Sequence, residues 1–376
     1  MTLYGVIRVQ RSYHIFVCRE KREYPFDVYW SVGLFVMRER KMSLWTNFRD
    51  KFFSPSRNFL KTNIKKSQRE IQEQIRDLKY IVERNIANSR KTGIPCMDFG
   101  IGELCRAHVD NISFDIIVYK YADKYVSNEI KSENVWERYE SQLLRKIVSA
   151  HKNPFIMNIG ANIGWYVLLC ASITRIGGGG EILAIEPDPY NFMLLTDNVR
   201  LNAFGNVECL NVAISDKNEY GSLYLSEFNF GDHRLFSENG LRQSIHVNLL
   251  KVDEILKNRN SYPDILISDT QGSEGLVFKG SEGAFAQGWS PIIFFEYCTF
   301  MAEDKGEYLV KLLKDWEYTR YEYFCIEKKE KRIRRISARE LENFARETQD
   351  CIEEGPFLDL VAIPIKKFGN GFMENL

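Results

Sequence analysis

Several features that would place this 376-residue sequence in a functional class at once are absent. Lysine plus arginine and aspartate plus glutamate number 51 each, so no net charge indicates a nucleic-acid partner. The eight cysteines are scattered without a CxxC pair, and the isolated CxxH of Cys105 and His108 is far short of a zinc site. We therefore predict reduced cysteines, no bound metal and no nucleic-acid partner.

Long apolar runs are also absent. The longest early run, residues 28–37, has ten residues, about half of what a membrane-spanning helix needs. Charged residues flank this run on both sides and no small-residue cleavage site follows, so it does not resemble a secretion signal. Together with the reduced cysteines, this pattern leads us to expect a cytoplasmic protein.

Residues 1–111 contain no recognisable motif and are predicted to be an N-terminal extension, helical in part over 42–86, with Met42 as an alternative start. Residues 38–66 carry nine lysines and arginines against two acids, with aromatic side chains at helical spacing. This pattern predicts either an amphipathic helix on an anionic membrane surface or, as we favour, a helix packed on the main domain. Residues 64–86 repeat aliphatic side chains at nearly heptad spacing, so a homodimeric coiled coil and a helix docked on its own chain are alternatives.

From residue 112 onward, short apolar strands alternate with helices. Such alternation predicts an α/β domain over 112–376, with a mostly parallel sheet covered by helices on both faces. The predicted strands are 112–121, 155–159, 181–187, 207–214, 264–269 and 291–297. The predicted helices are 133–148, 164–176, 189–202, 274–286 and 304–316. A last pair of strands, 320–327 and 357–364, is separated by a charged and partly helical stretch.

A glycine turn follows the strand at 155–159, in the stretch FIMNIGANIGW. Gly160 and Gly164 at the start of a helix indicate a nucleotide-like ligand on backbone N–H groups. A dinucleotide site needs GxGxxG, but here the middle glycine is missing and Asn162 would crowd a pyrophosphate. This disfavours an NAD(P)-dependent oxidoreductase. Glu186 ends the next strand, where a carboxylate suits paired ribose hydroxyls.

Five segments occur in order and together resemble the FkbM-type S-adenosylmethionine-dependent methyltransferases: NIGANIGWYVLL, AIEPDPYNFMLLTDNVRLN, VAISDKNEYGSLYLS, GDHRLF and ISDTQGSEGLVFKGSE. The likeness covers about 112–364 and leaves residues 1–111 uncovered. It implies a Rossmann-like class I methyltransferase fold closed by a C-terminal antiparallel strand pair. It further implies S-adenosylmethionine as cofactor and O-methylation of a hydroxyl on a sugar, glycan or secondary metabolite.

The resemblance also assigns roles to individual residues. The turn from Gly160 to Gly164 would hold the methionine end of the cofactor and Glu186 the ribose. The adenine would lie beside the residues after the third strand, and the acceptor beside those after the fourth. Asn158 departs from the family, which usually has aspartate there, so a cofactor-impaired, non-catalytic binding module is the alternative. The implied cofactor-binding residues are Asn158, Gly160, Asn162, Gly164, Glu186, Ala213, Ser215 and Asp216.

A hydroxyl acceptor must lose a proton, so a general base is expected. His233 is our first candidate because the pKa of histidine lies near neutrality and Asp232 is adjacent. Asp269 and Glu274, at the end of the fourth strand, are the next candidates, and Glu296 and His246 follow. Asp269 and Glu274 could also hold a metal, but we favour catalysis without one.

Overall fold

The computed structural model describes three strands within residues 2–38 and then residues 102–366, apart from 122, 238–241 and 352–354. Residues 1–96 and 97–376 form separate compact units, and each is described by itself. The predicted helices of 42–86 lie outside the described residues, as do nearly all of the basic segment and the heptad-like segment. The membrane contact and the homodimer therefore stay predictions. Among the residues described, no helix is long and apolar enough to cross a membrane.

The first unit contains an antiparallel meander of three strands: β1 (Thr2–Gln10), β2 (Tyr13–Tyr24) and β3 (Asp27–Arg38). The pairing of β2 with β3 runs without interruption from Tyr13 opposite Arg38 to Tyr24 opposite Asp27. The apolar run at 28–37 is therefore part of a strand.

The second unit contains thirteen strands and nine α-helices among its described residues. The strands are β4 (Gly102–Val109), β5 (Ile112–Tyr119), β6 (Phe155–Ile159), β7 (Glu181–Ile185), β8 (Val207–Leu210), β9 (Ala213–Ile214), β10 (Glu219–Tyr224), β11 (Ser244–Leu250), β12 (Ile265–Ser268), β13 (Ile292–Tyr297), β14 (Tyr321–Glu327), β15 (Arg332–Ile336) and β16 (Leu358–Pro364). The helices are α1 (Val126–Glu133), α2 (Arg138–Ser149), α3 (Trp165–Gly177), α4 (Pro189–Leu201), α5 (Val252–Leu256), α6 (Glu274–Lys279), α7 (Glu282–Ala286), α8 (Glu307–Trp316) and α9 (Ala338–Thr348).

Eight of these strands form one sheet in the order β15-β14-β16-β13-β12-β6-β7-β8. The five strands from β13 to β8 are parallel, β16 runs antiparallel beside β13, and β14 in turn runs antiparallel beside β16. The predicted doubly covered parallel sheet with an antiparallel C-terminal pair is confirmed. Both faces of the sheet are covered because its strands are apolar on both sides. In β6, for example, Ile156 packs into the core on one face and Met157 into the core on the other.

A β-hairpin of β4 and β5 precedes the sheet, and the predicted domain boundary at 111/112 falls in its turn. Helix α4 satisfies the backbone of β5 through two asparagines. Asn202 Oδ1 accepts a hydrogen bond from the Asp115 N–H at 2.9 Å, and Asn198 Oδ1 accepts one from the Ile117 N–H at 2.6 Å. These side chains supply the partners that a further strand would otherwise supply.

Some elements differ from the sequence prediction. The strand predicted at 207–214 is broken into β8 and β9, and β9 joins β11 and β10 in a small second sheet. The helix predicted at 274–286 is divided at Gly280, where a Cβ would lie 2.2 Å from the Ser215 carbonyl oxygen. The helix predicted at 133–148 begins at Arg138, after the separate helix α1. The sequence reading missed β4, β10, β11 and β15.

The chain order of the parallel strands reverses at β6, which lies between β7 and β12. The turn after β6 presses against the end of β12 at this point. Gly160 has φ +78°, and a Cβ there would lie 1.8 Å from the Asp269 carbonyl oxygen. Only glycine fits both the backbone conformation and the contact.

We expect Gly160→Ala to lower the free energy of unfolding by more than about 3 kcal/mol, because the methyl group meets backbone that cannot move away. Gly177→Ala is the matched control, since a Cβ at Gly177 meets nothing within 4 Å. Urea unfolding of both variants measures the difference. Equal stability of the two variants would contradict the described contact.

Candidate active site

A cavity of about 570 Å³ opens at the carboxyl ends of the parallel strands, where the strand order reverses. Open α/β sheets bind ligands at this position. Its wall takes Gly160 and Asn162 from the turn after β6, Glu186 from the end of β7, Asp269 from the end of β12 and Glu296 from β13. The sequence prediction brought these strand ends together correctly.

The turn after β6 is held by β7. The N–H groups of Gly160 and Ala161 both donate to the Ile185 carbonyl oxygen, at 3.0 and 2.9 Å. Asn162 has φ +50°, and its N–H donates to Glu186 Oε2 at 2.7 Å. Gly164 does not line the cavity. It has φ +99° as the residue before α3 and would meet Leu195 if it carried a Cβ.

Glu186 is a buried carboxylate that ties two strand ends together. Besides Asn162, the N–H of Asp188 donates to its Oε1 at 2.9 Å. Burial and the neighbouring Asp188 raise the pKa of Glu186 to about 8. Each carboxylate oxygen keeps a second lone pair, and the side chain is part of the cavity wall. Glu186 is therefore placed to accept hydrogen bonds from a ligand.

The other residues with predicted cofactor contacts divide into two groups. Ala213 lines the cavity with Val212 and Ile214. Ser215 and Asp216 do not line it, and Asp216 is paired with Lys279 at 2.8 Å.

Asn158 also lies outside the cavity wall. It is buried within β6, and its Oδ1 has no hydrogen-bond partner among the residues described. A buried carboxylate without a partner would cost more than an unpaired amide oxygen. The amide at 158 therefore suits this surrounding better than an aspartate would.

Two carboxyl groups, the half-buried Asp269 and the buried Glu296, lie at the end of the cavity beside β12 and β13. Gln271 Nε2 donates to Asp269 Oδ1 at 2.7 Å and to Glu296 Oε2 at 3.0 Å, and so bridges them. Gln271 adopts φ +52°, which points to a position fixed by its surroundings. Burial and the nearby Glu137 and Glu274 raise the pKa of Asp269 to about 7. Burial and the adjacent Asp269 raise the pKa of Glu296 well above its ordinary value.

Glu274 follows Asp269 by five residues in the sequence, but its environment differs from that of Asp269. Its Oε1 accepts hydrogen bonds from the N–H and the hydroxyl of Thr270, each at 2.7 Å, and its Oε2 accepts one from the Gly272 N–H at 3.1 Å. It does not line the cavity. These contacts make it the group that shapes the loop carrying Asp269 and Gln271.

His233 lies in the cavity wall, and its Nδ1 is already engaged. The Ser226 N–H donates to Nδ1 at 3.0 Å, so the proton of the neutral ring is on Nε2. Nε2 lies 3.8 Å from Asp188 Oδ2, and both side chains are almost fully buried. Asp232 does not orient this ring, because its carboxylate is paired with Arg234 and Arg242. A neutral His233 in this position presents no open lone pair to an acceptor.

The sequence reading missed the part of the wall contributed by segments far from the strand ends. Tyr125, Trp136, Glu137 and Phe357 line the cavity and come from α1, α2 and the approach to β16. Glu296 was only a secondary candidate and His246, on β11, is exposed and outside the wall. The sequence pointed to Glu296 through its place in a predicted parallel strand. No pattern in the sequence marked Tyr125, Trp136, Glu137 or Phe357 as residues of the cavity wall.

A second charged cluster lies beside the cavity. Within the described part of the chain, Glu137, Glu140 and Asp359 are the one group of carboxylates close enough together to hold a metal ion. The Lys328 ammonium is paired with all three. The positive charge at this cluster is therefore supplied by the protein itself.

Comparison with known proteins agrees with the geometry. The profile of the methyltransferase FkbM domain matches residues 158–335. Methyltransferase sdnD of Sordaria araneosa is 25% identical over 235 residues, which are 51% of this chain and 88% of that protein.

Two solved structures are similar at lower identity. Methyltransferase FkbM from Methylobacillus flagellatus shares 15% identity with a TM-score of 0.33, and the match covers 56% of this chain but only 44% of that protein. Precorrin-6y C5,15-methyltransferase from Geobacter metallireducens shares 13% identity with a TM-score of 0.30, over 59% of this chain and 87% of that one.

The chemistry of the wall fits S-adenosylmethionine. Glu186 offers carboxylate oxygens to ribose hydroxyls, and the apolar residues Val212, Ala213 and Ile214 offer contact to an adenine ring. The Asp269 and Glu296 carboxyl groups line the cavity where a sulfonium would lie, and its positive charge would favour their ionised forms. Residues 158–335 are thus a methyltransferase FkbM domain, and the chain is an S-adenosylmethionine-dependent methyltransferase.

Proposed function

We propose that the enzyme methylates a hydroxyl group of a small-molecule acceptor, namely a sugar, a glycan or a secondary metabolite. The observation that carries this proposal is the pair of acids, the half-buried Asp269 and the buried Glu296, bridged by Gln271 in the cavity wall. A hydroxyl is a poor nucleophile until its proton is removed, so it requires a base at the site of transfer.

Asp269 has the properties of that base. Its pKa of about 7 leaves a large fraction ionised near neutrality, yet makes it a stronger base than an exposed aspartate. Burial and the adjacent Asp269 also raise the pKa of Glu296 well above its ordinary value, which disfavours two negative charges on the pair. Gln271 donates to both groups and fixes their positions. Bound S-adenosylmethionine supplies an activated methyl group, and the acceptor proton passes to the Asp269 carboxylate.

His233 is less suited to the same task in this geometry. Using Nδ1 as a base would break its hydrogen bond with the Ser226 N–H, and Nε2 already carries the proton of the neutral ring. The ring instead accepts a hydrogen bond within the loop between β10 and β11, and its Nε2 lies 3.8 Å from Asp188 Oδ2. We therefore move the role of general base from His233 to Asp269.

The mouth of the cavity supports a ring-shaped acceptor. Tyr125, Phe228 and Phe357 line it while remaining 54%, 46% and 44% exposed. Large aromatic side chains that stay exposed at a cavity mouth offer their faces to a ligand ring. The polar floor and aromatic mouth together fit a hydroxylated ring compound.

Labelled methyl transfer to matched acceptors tests the proposal. The protein is incubated with methyl-labelled S-adenosylmethionine and pairs of sugars or ring metabolites that differ only in free or blocked hydroxyls. We expect label to enter the compounds with free hydroxyls and nuclear magnetic resonance to locate an O-methyl group. A methyl on nitrogen or carbon in the product would contradict the proposal.

For the cofactor, we expect Glu186→Ala to weaken S-adenosylmethionine binding by about 1.5–3 kcal/mol at pH 9, where a carboxyl group of pKa about 8 is ionised, because its charge-assisted hydrogen bonds are lost. Glu181→Ala is the control, since Glu181 is exposed at the other end of the same strand. Isothermal titration calorimetry gives both affinities, and circular dichroism checks folding. Wild-type affinity in a folded Glu186→Ala protein would contradict the assignment of Glu186 to the cofactor site.

For the base, we expect Asp269→Asn to lower kcat by about 10²–10⁴-fold. In the wild type, kcat/KM should rise with pH through about 7 as Asp269 loses its proton, and the variant should lose this rise. Asp315→Asn, an exposed aspartate at the end of α8, serves as control. A variant that keeps the wild-type pH profile would show that another group is the base.

For His233, we expect His233→Asn to retain kcat within about tenfold, because the asparagine Oδ1 can still accept from the Ser226 N–H and no proton-transfer group is lost. Steady-state rates at pH 7 and 8 provide the measurement. A decrease in kcat of about 100-fold or more with cofactor affinity unchanged would show that His233 is the general base.

A further inference from the structure

Lys328 lies in the turn between β14 and β15 and is not part of the cavity wall. Its Nζ is 2.6 Å from Glu137 Oε1, 2.9 Å from Glu140 Oε1 and 2.9 Å from Asp359 Oδ2. One ammonium therefore joins three segments that are distant in the chain: the start of α2, the β14–β15 turn and the start of β16.

Two of the residues that contact Lys328, Glu137 and Phe357, line the cavity. Glu137 lines the cavity and accepts a hydrogen bond from the Tyr166 hydroxyl at Oε2, at 2.6 Å. Tyr166 lines the cavity as well, and so does Phe357, whose ring centre is 5.5 Å from the Lys328 ammonium. Glu137 adopts φ +44° ahead of α2, a conformation that a non-glycine residue keeps only when its surroundings hold it.

We propose that Lys328 is a positioning residue that holds Glu137, Tyr166 and Phe357 in the wall of the acceptor end of the cavity. That this wall meets the acceptor rests on the proposed function. Glu137 and Phe357 lie outside residues 158–335, whereas Tyr166 and Lys328 lie within them.

The charges around Lys328 explain why its ammonium is needed. Burial raises the pKa of Glu140, and burial with the neighbouring Glu137 raises the pKa of Asp359 to about 7, while Lys328 acts against both shifts. The acids that face this region come from five elements: Glu129 of α1, Glu137 and Glu140 of α2, Asp269 of β12, Glu296 of β13 and Asp359 of β16. Removal of the ammonium would leave buried carboxylates without a counter-ion.

The pH dependence of stability separates this electrostatic role from simple packing. Without Lys328, the nearby carboxyl groups keep protons in the folded state that they lose in the unfolded state above about pH 4.5. The folded Lys328→Met protein is then favoured at low pH and loses stability as pH rises. The melting temperature of Lys328→Met should lie below that of the wild type. We expect this deficit to be larger at pH 8 than at pH 5.5 by at least about 3 °C.

Matched variants and a local probe complete the test. Lys328→Arg keeps the charge and should show no such pH-dependent deficit, and Lys329→Met, an exposed lysine of the same turn, should behave as the wild type. In Lys328→Met, hydrogen exchange at residues 136–141 and 355–359 should accelerate by about tenfold, while exchange at 160–164 and the affinity for S-adenosylhomocysteine stay unchanged.

If Lys328→Met fails to fold at pH 8, Lys328→Met/Glu140→Gln should recover part of the lost melting temperature, because one uncompensated acid is gone. A melting-temperature deficit of Lys328→Met that is equal at both pH values overturns the proposal. Unchanged hydrogen exchange at residues 136–141 and 355–359 overturns it as well. A wild-type protein that does not bind S-adenosylhomocysteine would instead count against the cofactor site.

Discussion

The contact between the turn after β6 and the end of β12 is the constraint on which the site depends. Gly160 approaches the Asp269 carbonyl so closely that no side chain fits between them. The two strands are neighbours in the sheet, but the chain leaves them in opposite directions, toward β7 and toward β13. The close approach brings the cofactor turn and the loop with Asp269 and Gln271 to one cavity.

Buried carboxyl groups give this cavity its chemical character. Glu186, Asp269 and Glu296 all have pKa values raised by burial, so each is poised to exchange a proton or to accept a hydrogen bond more strongly than an exposed acid. Backbone N–H groups donate to Glu186, and the Gln271 amide donates to both Asp269 and Glu296. These hydrogen-bond partners separate Glu186, at the end of β7, from the pair of acids at β12 and β13.

Local patterns in the sequence predicted the sheet well, because each central strand is apolar on both faces and each turn carries its own polar residues. Strand 155–159 and the turn at Gly160 were predicted at the right positions for this reason. The roles of Glu274 and His233 could not be read in the same way, since they depend on which backbone N–H groups of Thr270, Gly272 and Ser226 come within reach. The division of α6 from α7 is similar in this respect. It falls at Gly280, which lies against the carbonyl of Ser215, a residue distant in the chain.

The most direct test of the account is a count of the protons released when the cofactor binds. A cation bound beside acids of raised pKa lowers those pKa values, so binding of S-adenosylmethionine near pH 7 should release protons. Calorimetry in buffers of different ionisation enthalpy should show a larger proton release for the wild type than for Asp269→Asn, because a pKa raised to about 7 leaves part of the Asp269 population protonated at that pH. Equal proton release by the two proteins would contradict the claim that Asp269 is a raised-pKa acid at the cofactor site.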